Sequence, residues 1–306
     1  MNKNPKLIYN PTAAQGNAGK MLSKVQDLLS EQGFTYDLVL TEYPGHALHL
    51  ARQAAEDGYD LIVATGGDGT INETINGIML AQCDGRSRPA LGVLPVGRGN
   101  DFAYGVGIPM DIIQARDLLV KGKRRRIDIG LVKGGDFPDG RYFGNGVGLG
   151  FDTVVGFEAA KITWLHGAAS YLVALVKTIF LYAHAPIYEV VLDGQTLQQP
   201  FLMVSIMNGR RMGGSFMMAP DGDPRDGTFN LCLAGDVKQI RILPVAIKFM
   251  SGKQEEDPDV MMARSRKVSV RAIQGSIPAH ADGETICTTG QMLSIELLPN
   301  ALDVIA

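Results

Sequence analysis

Residues 60–73 read Asp-Leu-Ile-Val-Ala-Thr-Gly-Gly-Asp-Gly-Thr-Ile-Asn-Glu, and this stretch decides how the chain folds. Leu61, Ile62, Val63 and Ala64 form a short, continuous apolar run, the pattern of a parallel strand covered on both faces. Gly66, Gly67 and Gly69 allow a sharp turn and let backbone N–H groups approach a ligand with no Cβ in between. Thr70 and Glu73 have capping-box spacing, which predicts a helix beginning at Ile71 with its positive end turned to the loop. A strand, a glycine turn and a helix N-terminus in this order make a phosphate site. Asp68 is the exception within it, because a carboxylate facing phosphates repels them unless a divalent cation lies between or the group accepts a proton. By itself it also fits a solvated turn acid.

The flanking sequence repeats the alternation. Residues 6–9 read as a strand, 18–32 as a helix stopped at Gly33, 36–40 as a strand, 46–57 as a helix stopped at Gly58, 90–94 as a strand and 112–120 as a helix. Such alternation implies a Rossmann-like parallel α/β domain with ligands beyond the carboxyl ends of its strands. Thr41, Gly66, Gly97, Asn100 and Asp101 all fall just past such ends, so they are expected to line one crevice. From residue 127 the texture changes to β-rich segments at 127–132, 142–148, 187–192, 201–207, 228–233, 267–272 and 292–298, which predicts a mainly antiparallel β-sandwich. Within it only 162–183 and 240–250 look helical. The expected domains are therefore 1–126 and 127–306, divided at the basic cluster Lys121, Lys123, Arg124, Arg125 and Arg126. That cluster reads either as a solvated linker or as a contact with an anionic membrane.

The chain of 306 residues with 45% hydrophobic content is long enough for two ordinary cores. Its formal net charge of −3 gives no global basic field, which argues against a nucleic-acid partner. Cys83, Cys232 and Cys287 lie far apart with no Cys-x-x-Cys pair, so neither a disulfide frame nor a zinc site is expected. The N-terminus carries no apolar stretch of the secretory kind, and a cytoplasmic location is expected. In segment 162–183 Lys177 is the sole charge. His166, Gly167 and Ser170 weaken a membrane span there, leaving a buried helix or a helix at a lipid cleft or bilayer surface.

The ordered set Asn10-Pro11, Gly66–Glu73, Pro95-Val96-Gly97-Arg98-Gly99-Asn100-Asp101, Asn145 with Gly150-Phe151-Asp152, Asp226-Gly227 and Asp282-Gly283-Glu284 resembles the bacterial diacylglycerol kinase and multi-substrate lipid kinase family. It is more distantly similar to sphingosine kinases and NAD kinases. The resemblance implies ATP with Mg²⁺ as cofactors. It also implies nucleotide contacts at Asn10, Thr41, Gly66, Gly67, Asp68, Gly69, Thr70, Ile71, Asn72, Gly97, Arg98 and Asn100. Arg98 stands where these kinases normally have Thr, and a guanidinium grips phosphate more strongly but reaches further than a hydroxyl. Asp68 and Asp101, on neighbouring strand ends, suit a shared Mg²⁺ that bridges ATP phosphates.

The resemblance makes Glu284 the general base on the acceptor hydroxyl, while the tripeptide alone equally fits an Asp-Gly hairpin turn. Asp221, Asp223 and Asp226 read as a solvated turn or a hard-cation site. The resemblance adds a structural Mg²⁺ on Asp223, Asp226 and the carbonyl of Thr228. The function these residues imply is transfer of the ATP γ-phosphoryl group to a lipid alcohol such as diacylglycerol at a membrane surface, with a homodimer conceivable. The rivals are a NAD kinase-like phosphotransferase and a nucleotide- or lipid-binding regulator with impaired catalysis.

Overall fold

Every residue of the run Ile62–Ala64 is fully buried, as a strand with helices on both faces requires. The computed structural model describes residues 3–306 except 84, 86–87, 162–172, 175–176 and 180–184. These residues form a first unit, Met1–Ile129 with Pro299–Ala306, and a second, Gly130–Leu298. In the first unit β1 (Lys6–Tyr9) pairs in parallel with β2 (Asp37–Leu40) and β3 (Leu61–Gly66), and β3 with β4 (Ala90–Pro95). The end of β16 (Met292–Ile305) adds to β4 in parallel through Val304 and Leu91. Helices α1 (Asn17–Glu31), α2 (His46–Glu56), α3 (Asp68–Leu80), α4 (Asp101–Val106) and α5 (Ile112–Lys121) follow the strands in turn.

Two local expectations are corrected. Helix α3 begins at Asp68, behind the N-cap Gly67, and no side chain caps it. Glu73 turns instead to α2, where its carboxylate accepts the Gly45 N–H at 2.8 Å and the Ala47 N–H at 3.1 Å. An acid on one helix thus satisfies the free donors of another. The basic cluster is not a linker, because Arg124–Gly134 is the strand β5. Arg124 is ion-paired with Asp60, and Arg126 lies 3.5 Å from Asp303.

The second unit stacks two sheets. Strands β7 (Gly146–Gly150), β10 (Met203–Met207), β11 (Phe229–Ala234), β12 (Val260–Ser265), β14 (Ile277–Ala281) and β15 (Glu284–Gly290) form one antiparallel sheet in the order β12-β11-β10-β7-β14-β15. The other contains β6 (Phe137–Phe143), β8 (Ile187–Leu192), β9 (Gln195–Pro200), β13 (Lys267–Gln274) and parts of β5 and β16. Alternate residues such as Val147, Leu149, Val204, Ile206, Val268 and Ile295 fill the core between them. The outer face of the six-stranded sheet is covered by α6 (Phe151–Ala160) and the helix Gln239–Ser251 through Phe151, Val155, Ile242, Val245 and Phe249. The apolar segment 162–183 lies largely outside the described residues. No helix among the described residues is long and apolar enough to cross a membrane.

Glu73→Ala is expected to lower unfolding free energy in urea by about 1 kcal/mol, the usual scale of a lost helix cap. An unchanged midpoint would show that the carboxylate adds nothing to α2.

Candidate functional site

The loops after β3 and β4 touch through their backbones. A Cβ on Gly97 would lie 2.4 Å from Gly67 Cα, so glycine at this point is a steric necessity. Asn100, in the left-handed conformation at φ 51°, precedes α4 and donates from Nδ2 to the Gly97 carbonyl at 3.0 Å. This closes the second loop on itself. A methyl group at Gly99 would lie 2.8 Å from Asp68 Oδ2 and 3.7 Å from Asp101 Oδ2, so both carboxylates face one point. Asp68 Oδ1 accepts the Phe102 N–H at 3.1 Å, which ties the acid of one loop to the helix after the other. Burial pushes the Asp68 carboxyl above its ordinary range, against this hydrogen bond, which pulls it down.

Asn10 joins from β1: its Nδ2 donates to Thr70 Oγ1 at 2.9 Å, and its own N–H donates to the Thr65 carbonyl at 2.9 Å. Gly66, Gly67, Gly69, Ile71 and Asn72 lie on β3 or the opening turns of α3, while Thr41 is buried just past β2. Arg98 is exposed between the two glycines of the second loop. Thr65 Oγ1 and Asn100 Oδ1 are buried oxygens with no hydrogen-bond partner, open positions of the kind a ligand or ion completes. Sequence reasoning missed Thr65. Two carboxylates and an amide oxygen suit a hard divalent cation that keeps part of its water shell.

In the second unit Asp282-Gly283 is the turn of the β14–β15 hairpin, with φ of 48° and 84°. The turn also carries a clamp. Asp282 accepts the N–H groups of Gly144, Asn145 and Gly146 at 2.8, 3.0 and 2.8 Å, fixing the start of β7. Glu284 follows as the first residue of β15 and is half-exposed, held by Arg141 Nε at 2.6 Å. Arg141 is buried and stacks over the Phe137 ring at 5.6 Å. Its role was not legible, since its partner is 143 residues away.

The turn at Asp223 and Asp226 does not fit a cation as arranged. Arg225 grips Asp223 with two contacts of 2.8 Å and holds its carboxyl below the usual range. Asp226 accepts the Thr228 N–H at 3.1 Å and lies 3.6 Å from Arg264. Among the described residues no group of three or more His, Cys, Asp or Glu side chains is placed to hold a metal.

Residues 4–132 match the family model of the diacylglycerol kinase catalytic domain, and residues 145–306 that of the YegS C-terminal NAD kinase β-sandwich-like domain. The chain is 32% identical over 284 residues to a diacylglycerol kinase of Bacillus subtilis, covering 92% of this chain and 90% of that protein. It is 27% identical over 285 residues to a diacylglycerol kinase of Staphylococcus carnosus, covering 93% and 89%. Its fold superposes on a diacylglycerol kinase crystal structure from Bacillus anthracis with a TM-score of 0.73 at 23% identity, covering 99% and 96% of the two chains. Yeast NADH kinase is a more remote match in fold, with a TM-score of 0.53 at 11% identity over 99% and 83%.

Gly97→Ala is expected to cost about 1–3 kcal/mol of stability, because the methyl group meets rigid backbone. Gly69→Ala, with open space around it, is expected to leave stability unchanged or slightly raised. Equal melting temperatures for the two variants would contradict the loop contact. Because Arg225 holds Asp223, EDTA is expected to leave the melting temperature of the nucleotide-free protein unchanged; a fall would place a structural ion in the chain.

Proposed function

The chain belongs to the diacylglycerol kinase family, and we propose that it transfers the γ-phosphoryl group of ATP to the hydroxyl of a lipid alcohol such as diacylglycerol. The observation that carries this reading is the convergence of Asp68 and Asp101 on one point beside the glycine loop. Phosphoryl transfer asks a protein mainly to position its reactants and to neutralise charge on the phosphate oxygens. A Mg²⁺ ion bound with ATP supplies that neutralisation. Asp68, Asp101 and Asn100 are the residues that would hold it, with backbone N–H groups of Gly67 and Gly69 and the hydroxyl of Thr70 facing the phosphates. Asn10 orients Thr70 through its 2.9 Å hydrogen bond. Arg98, exposed on the second loop, closes over the nucleotide phosphates.

Glu284 takes the proton of the acceptor hydroxyl as the new O–P bond forms. Arg141, buried behind it, holds the carboxylate in place through one of its oxygens. The acceptor is a membrane lipid, so turnover takes place at a bilayer surface, which the chain visits as a peripheral protein. A NAD kinase-like phosphotransferase shares the β-sandwich, but the catalytic-domain match over residues 4–132 favours the lipid acceptor.

Labelled ATP with a panel of lipid alcohols in mixed micelles, and NAD in parallel, tests the assignment. Labelled phosphatidic acid is expected; labelled dinucleotide without labelled lipid would reject it. Asp68→Asn should abolish transfer with the fold retained. Glu284→Gln should bind ATP normally and lose on the order of 10²–10⁴-fold in kcat. Normal turnover with weak nucleotide binding would remove Glu284 from proton transfer. Arg98→Thr should weaken ATP binding by about 1.5–3 kcal/mol, and unchanged affinity in calorimetry would leave Arg98 outside the site.

A further inference from the structure

Two titratable side chains meet on the outer face of the six-stranded sheet. Ser205 on β10, Gly148 on β7 and His280 on β14 are direct cross-strand partners, so they form one row on one face. Glycine leaves the middle of that row open. Asp152, in the first turn of α6, fills it from above: a Cβ on Gly148 would lie 2.3 Å from Asp152 Oδ2 and 2.6 Å from His280 Nε2. The carboxyl oxygen and the imidazole nitrogen are therefore within about 4.9 Å of each other, the sum of those distances.

The surroundings are apolar. Met203, Met207 and Phe151 belong to the cluster that covers this face. Burial pushes the Asp152 carboxyl up to about 7 and the His280 imidazole down to about 4. An acid and an imidazole set among methionines cost folding free energy and add nothing to the core. Both remain half-buried, whereas Ser205 beneath them is fully buried. The pair thus keeps some contact with solvent at the edge of this face.

The hydrogen bonds fix what the pair can recognise. Asp152 Oδ1 accepts the Thr153 N–H at 2.8 Å, and Oδ2 accepts the Ser205 hydroxyl at 3.3 Å. His280 Nδ1 accepts the Gly283 N–H at 3.4 Å, which places the proton of the neutral ring on Nε2, facing Asp152. A donor from imidazole stands beside a carboxyl that accepts when ionised and donates when protonated. Such a pair can hydrogen-bond an uncharged oxygen in either protonation state, and with Asp152 ionised it repels a phosphate.

We propose that Asp152 and His280 bind a neutral oxygen group of the lipid acceptor, an ester carbonyl or a hydroxyl adjoining the one that is phosphorylated. This rests on the reading of the chain as a lipid kinase and assigns specificity for the acceptor to the row over Gly148. Gly283 links the two sites within the second unit, since the turn that hydrogen-bonds His280 also precedes Glu284.

Titration of the full chain with dioctanoylglycerol, without nucleotide, reads the site independently of turnover. Asp152→Asn and His280→Phe should each weaken binding about tenfold and raise the acceptor KM by the same factor, with the KM for ATP unchanged. His280→Gln, which keeps a donor near the Nε2 position, should recover part of the loss. A dialkylglycerol ether separates the two oxygen classes: if a carbonyl is read, wild type binds the ether weakly and His280→Phe lowers its affinity no further. If a hydroxyl is read, the ether binds as the ester does and loses affinity in the variant. Unchanged affinity for dioctanoylglycerol in both variants, or a parallel rise in the KM for ATP, would overturn the proposal. Wild type that phosphorylates lipid while both variants match it would reject this site alone. Weaker lipid binding in the variants with no lipid phosphorylated by wild type would reject the kinase reading and leave the site standing.

Discussion

The backbone contact between Gly67 and Gly97 is the constraint on which the first unit's chemistry depends. Neighbouring parallel strands end side by side, but side chains on their turns would hold the turns apart. With no Cβ at either position the two loops close on each other, and Asp68 and Asp101 come to face the same point at Gly99. The hydrogen bond from Phe102 N–H to Asp68 then makes one assembly of the two loops. Local backbone geometry, more than any single side chain, sets the distance between two acids.

The second unit relies on a different device. Asp282 gathers three N–H groups at the start of β7, and the same turn delivers Glu284 to the first position of β15, where Arg141 holds it. The hairpin turn and the role implied by family resemblance are therefore compatible. Satisfying buried backbone donors with an ionised acid is strong and directional, so the turn has one geometry and Glu284 inherits it. Beyond the clamp, Asp152 and His280 come together over Gly148 on the face that also carries Met203 and Met207.

The parallel α/β unit and the antiparallel sandwich were legible because their evidence is local: apolar runs, helical periodicity, and glycines at strand ends. The loop acids were legible for the same reason. What could not be read depends on contacts far apart in sequence. Glu73 has the spacing of a cap for its own helix, yet the nearest unsatisfied donors belong to α2. Arg124 and Arg126 are exposed, as solvated charges should be, but they stand on a strand beside Asp60 and Asp303 and not in a linker. Asp223 is a different case, because its partner is local: the turn has the composition of a cation site, but Arg225, only two positions on, takes both oxygens of Asp223.

In the proposed kinase mechanism Asp68 and Asp101 act as one unit through a shared ion. A double-mutant cycle on Mg²⁺-dependent ATP affinity, with Asp68→Asn, Asp101→Asn and the pair together measured by calorimetry, reads this coupling. The account predicts that the double variant loses little more affinity than either single one, because removing one ligand already breaks the site. Losses that simply add would show two independent acids and contradict it.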